Sequence, residues 1–207
     1  MTPLSPEYIS SAEDCLSLFL PKLKSVYADM DRQYEPVATG YGFVCRGCEE
    51  NCCRTRFYHH TLLEYLYIRE GFNTLAPDKQ RRVGNRVKTV IAISAVADRK
   101  GITVNEMCPL NFDGRCILYA YRPMICRLHG LPHALHRPDK GIQFHPGCHI
   151  FVDQCKDSSY SRLDRTPFYI EMARLERKLK AAAGITQKLK MTVAEMLSRC
   201  GEASQIK

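Results

Sequence analysis

The sequence predicts a mostly α, single-domain protein in which helices flank an irregular, cysteine-rich centre. Apolar residues recur at helical spacing between recognisable caps in the first hundred residues and again after residue 165. Between residues 102 and 160 this pattern gives way to prolines, glycines, cysteines and histidines. The chain has 207 residues and no internal repeat, which suits one core of ordinary size.

The first 36 residues read as helical. Ser5 can cap the helix with Pro6 at its first position, and we expect Pro21 to break or kink it. Apolar side chains at helical spacing lie on both sides of this proline: Ile9, Cys15, Leu16, Leu18, Phe19 and Leu20 before it, and Leu23, Val26 and Met30 after it.

Two further helices follow before the irregular centre. The segment Thr61-Leu62-Leu63-Glu64 is a capping box, and its helix is expected to end near Gly71. A longer helix is expected to start at Pro77 and to end before Gly101. One of its faces carries Val83, Val87, Val90 and Ile91.

The C-terminal part predicts two more helices. One starts at Thr166-Pro167 and ends at Gly184, with Phe168, Met172, Leu175 and Leu179 on one stripe. The other opens with the capping box Thr192–Glu195 and closes at Gly201. We therefore expect residues 1–160 to form a cysteine-cluster domain with N-terminal helices. Residues 161–207 form a helical extension packed on it.

The central region has the composition of a metal-stabilised segment. Residues 102–160 contain five cysteines and five histidines and little apolar periodicity, so the segment cannot easily build its own core. A bound metal would supply the missing organisation. Asp113-Gly114 is a turn signal that would fold Cys108 back towards Cys116.

The apolar runs, the N-terminus and the cysteine count together predict the cellular compartment of the protein. The longest nearly uninterrupted apolar run, Val90 to Ala97, is far below the roughly 20 residues that span a bilayer. The N-terminus lacks the basic stretch and apolar segment of a secretory signal, so we expect a cytoplasmic protein without a membrane partner. Thiols stay reduced there, and the eleven cysteines are an odd number, so metal ligation is a better explanation than a disulfide framework.

Eight cysteines are candidate metal ligands. In Cys45-Arg46-Gly47-Cys48 the C-x2-C spacing lets two sulfurs reach one metal at about 2.3 Å. Cys15 and Cys200 lie in predicted helices and are expected to pack, while Cys155 is left unassigned. The candidates are Cys45, Cys48, Cys52, Cys53, Cys108, Cys116, Cys126 and Cys148.

The same residues carry a resemblance to a known family. C-x2-C-x3-C-C, followed by Cys-Pro-Leu and then Gly-x-Cys-Ile-x-Tyr-x-x-Arg-Pro-x-x-Cys-Arg, resembles the bacterial YkgJ-type cysteine-cluster family. Its members are described as zinc- or iron-chelating proteins. The match spans residues 45–130 and implies a metal-binding domain with these cysteines as ligands. It implies no reaction, although flagellin lysine methylases contain a similar cluster.

The sequence leaves two candidates for the bound group: an iron–sulfur cluster, which we favour, and zinc. Isolated sulfurs that converge from distant loops suit a cluster, whereas zinc sites usually use two knuckles and this chain has one C-x2-C. The pairs Cys126-x2-His129 and His145-x2-Cys148 resemble mixed knuckles and would favour zinc or mononuclear iron. The roles of His129, His145 and His149 stay open.

Two arginines are candidate cofactor-binding residues. Arg122 and Arg127 lie between candidate ligands, where they can donate to sulfurs or hold an anionic substrate; the alternative is fold support through loop carbonyls. Residues 78–88 carry five basic side chains against one acid, but no aromatic residue is interleaved and no nucleic-acid motif accompanies them. This pattern favours a solvated helix face over a nucleic-acid partner.

These features predict a metal-binding protein that holds an iron–sulfur cluster, or zinc or iron ions, through clustered cysteines. One alternative is a redox or modifying enzyme that uses the same site. Another is a zinc-structured module that binds nucleic acid or protein. Whether the protein is an enzyme, and which protein partner it has, cannot be read from the residues.

Overall fold

The computed structural model describes residues 6–44, 52–155 and 161–203. These residues form a mostly α, single-domain fold, as the sequence predicts. Seven α-helices are formed within these ranges: α1 (Pro6–Gly40), α2 (Leu62–Asn73), α3 (Pro77–Lys100), α4 (Met124–Leu128), α5 (His149–Gln154), α6 (Thr166–Ala183) and α7 (Val193–Ala203). Short 3₁₀ turns are formed at Cys52–Arg54 and Tyr119–Tyr121. In the described part of the chain, no helix combines the length and apolarity needed to cross a membrane.

Helix α1 runs without a break through Pro21 and Pro36. Of the two outcomes expected at Pro21, a break or a kink, the break does not occur. A proline inside a helix removes one backbone hydrogen bond and costs about 3 kcal/mol. Leu16 before it and Leu23 and Met30 after it are all buried in one core, and this packing outweighs the local cost.

The cap predicted at Ser5 lies outside the described residues, and the helix starts predicted within them are confirmed. Thr61 and Thr192 accept hydrogen bonds from the amides of Glu64 and Glu195, both at 3.2 Å. Helix α3 ends at the left-handed Gly101 and α6 at the left-handed Gly184, as expected.

One predicted helix end is displaced. Helix α2 ends at Asn73, near Gly71 as expected, whereas α7 continues past Gly201 to Ala203. Gly71 also has a packing role, since a side chain there would collide with the ring of Tyr121.

The main core lies between the N-terminal and C-terminal helices. Helix α6 packs along α1 and also contacts α2, while α7 packs against α2 and α3. The buried stripe predicted for α6 faces this core, and Tyr65 of α2 lies at its centre. Residues after 161 therefore complete the same core that the first hundred residues begin.

A smaller second core supports the cysteine-rich centre. It contains the end of α1 as well as central residues: Ala38, Phe43, Leu131, Phe151 and Cys155. A three-stranded sheet flanks it, in the order β4-β3-β5, from strands β3 (His133–Arg137), β4 (Gly141–His145) and β5 (Leu163–Asp164). Strand β3 is antiparallel to β4 and parallel to β5.

A two-stranded hairpin carries one of the candidate ligands. Strands β1 (Asn111–Phe112) and β2 (Arg115–Cys116) pair with Asn111 opposite Cys116. The connecting residues Asp113 and Gly114 have φ of 51° and 82°, values that fit the tight hairpin turn predicted from this dipeptide. The turn brings Cys116 back beside the chain that leaves Cys108.

One buried carboxylate, that of Glu176, joins helix α6 to the start of α2. Glu176 of α6 accepts the amides of Leu62 at 2.9 Å and Leu63 at 3.2 Å, so it satisfies the first turn of α2 from another helix. Its other contact is Lys180, at 3.2 Å. This cap fixes the start of α2 relative to α6.

We expect Glu176→Ala to lower the free energy of unfolding by about 2 kcal/mol, because charged hydrogen bonds to two buried amides are lost. Chemical denaturation followed by circular dichroism measures this loss. Glu171→Ala on the same helix is the control, since its ion pairs with Arg174 and Lys22 are at the surface. Equal losses in the two variants would contradict the role of Glu176 as a cap.

Candidate metal centre

One large cavity gathers the candidate ligands. Its volume is about 1350 Å³, and it is bounded by residues from the end of α1, the segment before α2, the β1–β2 hairpin, α4 and α5. Six of the eight predicted cysteines line it: Cys52, Cys53, Cys108, Cys116, Cys126 and Cys148. The other two, Cys45 and Cys48, lie outside the described residues.

Backbone hydrogen bonds hold several of these cysteines at the cavity wall. The amide of Cys108 donates to the carbonyl of Cys53 at 2.8 Å, which joins the segment before β1 to the first 3₁₀ turn. The amide of Cys148 donates to Gly130 at 2.9 Å, and its sulfur accepts the amide of Phe151 at 3.4 Å as the cap of α5. Cys126 lies in α4, which Pro123 starts.

Four of the sulfurs are close enough to influence one another. Burial raises the pKa of Cys108 to about 12 and of Cys116 to about 11, and the charge of Cys53 adds to both shifts. Burial also raises the pKa of Cys126 well above its ordinary value, and repulsion from Cys108, Cys116 and Cys53 adds to this. Each side chain is half-buried and open towards the cavity. Without a cation these three thiols are protonated at neutral pH.

Cys53 behaves in the opposite way. A hydrogen bond with the Cys52 side chain is the largest cause that lowers its pKa to about 6. Burial opposes this shift, while the Asn111 amide and the Arg122 guanidinium assist it. Cys53 is therefore the thiolate of the group at neutral pH, and thiolates are the form that binds metals and attacks electrophiles.

The two candidate arginines have different surroundings. Arg122 stacks 3.6 Å from the ring centre of Tyr119, donates to the carbonyl of Cys126 at 3.2 Å and acts to lower the pKa of three cavity thiols. Its positive charge thus acts on the sulfurs, as expected of a residue beside a thiolate centre.

Arg127 is buried among other groups. It donates to Asp31 at 2.8 Å, to the carbonyl of Arg122 at 2.9 Å and to the carbonyl of Ala120, and its guanidinium lies over the ring of Tyr27. This is the fold-support role that the sequence left as the alternative.

The histidines divide between the cavity and the sheet. His129 and His149 line the cavity. Burial lowers the pKa of His129 to about 4, with Arg165 assisting, so its imidazole is neutral at pH 7. His145 instead stacks on His133 across strands β4 and β3, with ring centres 4.6 Å apart. Of the two mixed knuckles, only Cys126-x2-His129 has both members on the cavity wall.

The remaining cysteines lie away from this wall. Cys15 and Cys200 pack in the main core, as predicted for both. Cys155, which the sequence leaves unassigned, is buried in the second core, and its thiol donates to the carbonyl of Tyr41 at 3.7 Å. Among the described residues, no two cysteines form a disulfide.

One buried pair in the cavity wall was not predicted. His59 is 2% exposed, and its Nδ1 lies 3.8 Å from Oε1 of Glu64. Burial acts to raise the pKa of Glu64, but His59, the Thr61 hydroxyl and the amide of Met124 outweigh it, and the pKa ends below its usual value. The sequence signals Glu64 only as part of a capping box, since its link to α4 depends on tertiary packing.

The donor set fits a thiophilic metal or an iron–sulfur cluster, because sulfur from several loops faces one space. Across the described ranges, no three cysteine, histidine or acidic side chains are already gathered tightly enough to hold one ion. Two of the eight predicted ligands lie outside those ranges. The described cysteines thus place six sulfurs around one cavity without forming a ready-made ligand group among the described residues.

Comparison with known proteins adds no relative. No family model, no curated protein and no solved structure matches this chain. The candidate centre is therefore defined by its own side chains and their geometry.

We expect Cys53 to be the fastest cavity thiol to react in metal-free protein. With a pKa of about 6, its alkylation rate should reach a plateau near neutral pH, whereas Cys108 and Cys116 need strongly alkaline solution. Time-resolved alkylation with iodoacetamide at several pH values, followed by peptide mass spectrometry, measures this order.

Cys52→Ala tests the cause of the shift. Because the Cys52 side chain is the largest contributor, its removal should move the reactivity profile of Cys53 to higher pH. Cys15→Ala, a half-buried cysteine on α1, is the matched control and should leave the profile in place. A profile of Cys53 that is centred near pH 9 in unmodified protein would contradict the prediction.

Proposed function

We propose that this chain is a metal-binding protein that holds an iron–sulfur cluster, or zinc or iron ions, through its clustered cysteines. The observation that carries the proposal is the placement of six candidate cysteines on the wall of one cavity. The other three described cysteines pack in the two cores instead. Chance burial of cysteines does not account for this division.

The electrostatics of the sulfurs supports a cationic occupant. Burial and mutual repulsion keep Cys108, Cys116 and Cys126 protonated at neutral pH, and only a nearby cation compensates the charge of several thiolates in such a place. Metal uptake would therefore release protons and become tighter as pH rises. When bound, the metal ion or cluster would supply Lewis acidity or electron transfer.

We favour the iron–sulfur form over zinc. The four sulfurs that influence one another, Cys53, Cys108, Cys116 and Cys126, come from a 3₁₀ turn, a loop, a strand and a helix, without the paired knuckles of a structural zinc site. The neutral imidazole of His129 lies on the same wall and suits a mixed site with zinc or mononuclear iron. Zinc is therefore the second choice.

Arg122 is the cofactor-facing arginine in this proposal. Its guanidinium is held by Tyr119 and by two backbone carbonyls, so its charge stays beside the sulfurs. A fixed positive charge next to thiolate ligands lowers their repulsion and tunes the potential of a redox centre. Arg127 would act only indirectly, through the loop that carries Arg122.

The family resemblance and the cytoplasmic location are part of the same proposal. The YkgJ-type pattern over residues 45–130 includes five of the six cysteines on the cavity wall, which is consistent with a zinc- or iron-chelating domain. A cytoplasmic location accords with cysteines that form no disulfide among the described residues.

A redox or modifying enzyme is the second candidate function. The cavity volume of about 1350 Å³ exceeds the roughly 300–1,000 Å³ of ordinary ligand pockets. Its wall also carries polar side chains away from the sulfurs, among them Arg56, Glu106 and Ser94. A substrate could therefore reach a bound metal from this side.

We expect Cys126→Ser to lower the metal content severalfold and the melting temperature by about 5–10 °C, because a lost ligand removes binding energy that stabilises the fold. Elemental analysis of purified protein and thermal denaturation, with and without a chelator, measure both. Cys200→Ser is the control, since that cysteine is buried in the main core, does not line the cavity and donates to the carbonyl of Met196 within α7. Equal, small effects of the two changes would overturn the proposal.

Metal identity has its own test. Protein purified without oxygen should be brown and contain acid-labile sulfide in stoichiometric amount with iron, as expected of a cluster held by cysteines. The visible spectrum and sulfide analysis decide this point. A colourless preparation with tightly bound zinc and no sulfide would replace the iron–sulfur form with the zinc form.

A further inference from the structure

A second, smaller cavity lies between α3 and the β1–β2 hairpin. Its volume is about 310 Å³, and it is lined by Arg82, Asn85, Arg86, Phe112 and Asp113. The helix residues come from the first half of α3, and the other two come from the hairpin and its turn.

Three cationic side chains, two of which line this cavity, converge on its aromatic ring. The charged groups of Lys79, Arg82 and Arg86 lie 5.5, 4.9 and 4.5 Å from the ring centre of Phe112. Their spacing along α3 puts them on one helix face. The sequence alone shows no aromatic residue among these basic ones, and the hairpin supplies it from the next segment.

The local charge is unbalanced. In the described part of the chain none of the three cations forms an ion pair, and the only acidic group that lines the cavity is Asp113. Three like charges around one ring repel one another, and an anion bound between them would remove this repulsion. The site therefore favours a ligand with more than one negative charge.

The two guanidinium groups are already oriented. Arg86 donates to the carbonyl of Asn111, and both arginines lie over the ring of Phe112. An arginine stacked on a ring still has N–H groups along its edge, and this planar fork matches the oxygens of a phosphate group. Because the orientation exists before binding, little side-chain entropy is lost.

We infer that this cavity is a binding site for the phosphate group of a small phosphorylated ligand, held by Arg82, Arg86 and Lys79 over the ring of Phe112. The volume, at the lower end of ligand pockets, suits a phosphate or a nucleotide-sized molecule. The inference is independent of the metal proposal, because none of the three cations is a candidate metal ligand.

Isothermal titration calorimetry of the full chain with inorganic phosphate and with adenosine triphosphate, without divalent cations, tests the site. We expect saturable binding of at least one of these probes. Arg82→Gln should weaken it about tenfold or more, because one charge-assisted contact is lost. Arg82 is exposed and makes no hydrogen bond among the described residues, so the fold should tolerate this change.

Arg81→Gln is the matched control. Arg81 precedes Arg82 on the same helix, carries the same charge and is exposed, but it does not line the cavity. The Arg81→Gln substitution should change the affinity for the phosphate probes less than twofold, since exposed charges away from the ligand are screened. Lys79→Gln, a second variant of the site, should weaken binding as Arg82→Gln does.

Three results would overturn the inference. The first is a lack of saturable binding of both small probes. The second is an equal loss of affinity in Arg81→Gln and Arg82→Gln, which would indicate general attraction to a basic protein. The third is binding of a single-stranded oligonucleotide alone, which would assign the basic face of α3 to a nucleic acid. Loss of bound metal without loss of phosphate binding would leave the inference intact and count only against the proposed metal function.

Discussion

The convergence of cysteine sulfurs on one cavity is the constraint on which the centre of this protein depends. Sulfurs from a 3₁₀ turn, a loop, a strand and a helix approach closely enough that the charge of one raises the pKa of the others. The surrounding backbone is arranged to keep them there, as in the hydrogen bond from Cys108 to Cys53 at 2.8 Å. Their proximity and burial keep Cys108, Cys116 and Cys126 protonated at neutral pH.

The helices around this centre form a shell that is stabilised by apolar packing. Helices α1, α2, α6 and α7 bury one continuous core, and Glu176 joins the start of α2 to α6 within it. Arg127 connects this shell to the centre, because its guanidinium reaches Asp31 and Tyr27 of α1 as well as the loop of Arg122. Order in the shell therefore positions the loop that faces the sulfurs.

The sequence predicts best those features that depend on neighbouring residues. Helix starts at Thr61, Thr192 and Pro77 follow from local capping chemistry, and the Asp113-Gly114 turn follows from backbone preference, so both kinds were correct. The helix continues through Pro21 because it packs along α6, and no local pattern reveals that packing. The predicted end of α7 at Gly201 was wrong, since the helix continues to Ala203.

The same distinction between local and long-range causes applies to the candidate site. Cysteine spacing identified the sulfurs that line the cavity, because each cluster is local in the chain. The different surroundings of Arg122 and Arg127, and the buried pair of His59 and Glu64, depend on contacts between distant segments. Strands β3 and β4 were also missed: their alternation is weak, since most of their residues are exposed or half-buried on both faces.

The hairpin gives the molecule two chemically distinct faces that are one residue apart. Successive side chains of a strand point to opposite sides, so Asn111 faces the thiol of Cys53 while Phe112 faces the basic cavity. Arg86 touches both sides: it lies over Phe112, donates to the carbonyl of Asn111 and acts to lower the pKa of Cys108. Among the described residues, Arg86 is therefore the one side chain of α3 that acts both on the ring of the basic cavity and on a thiol of the candidate metal centre.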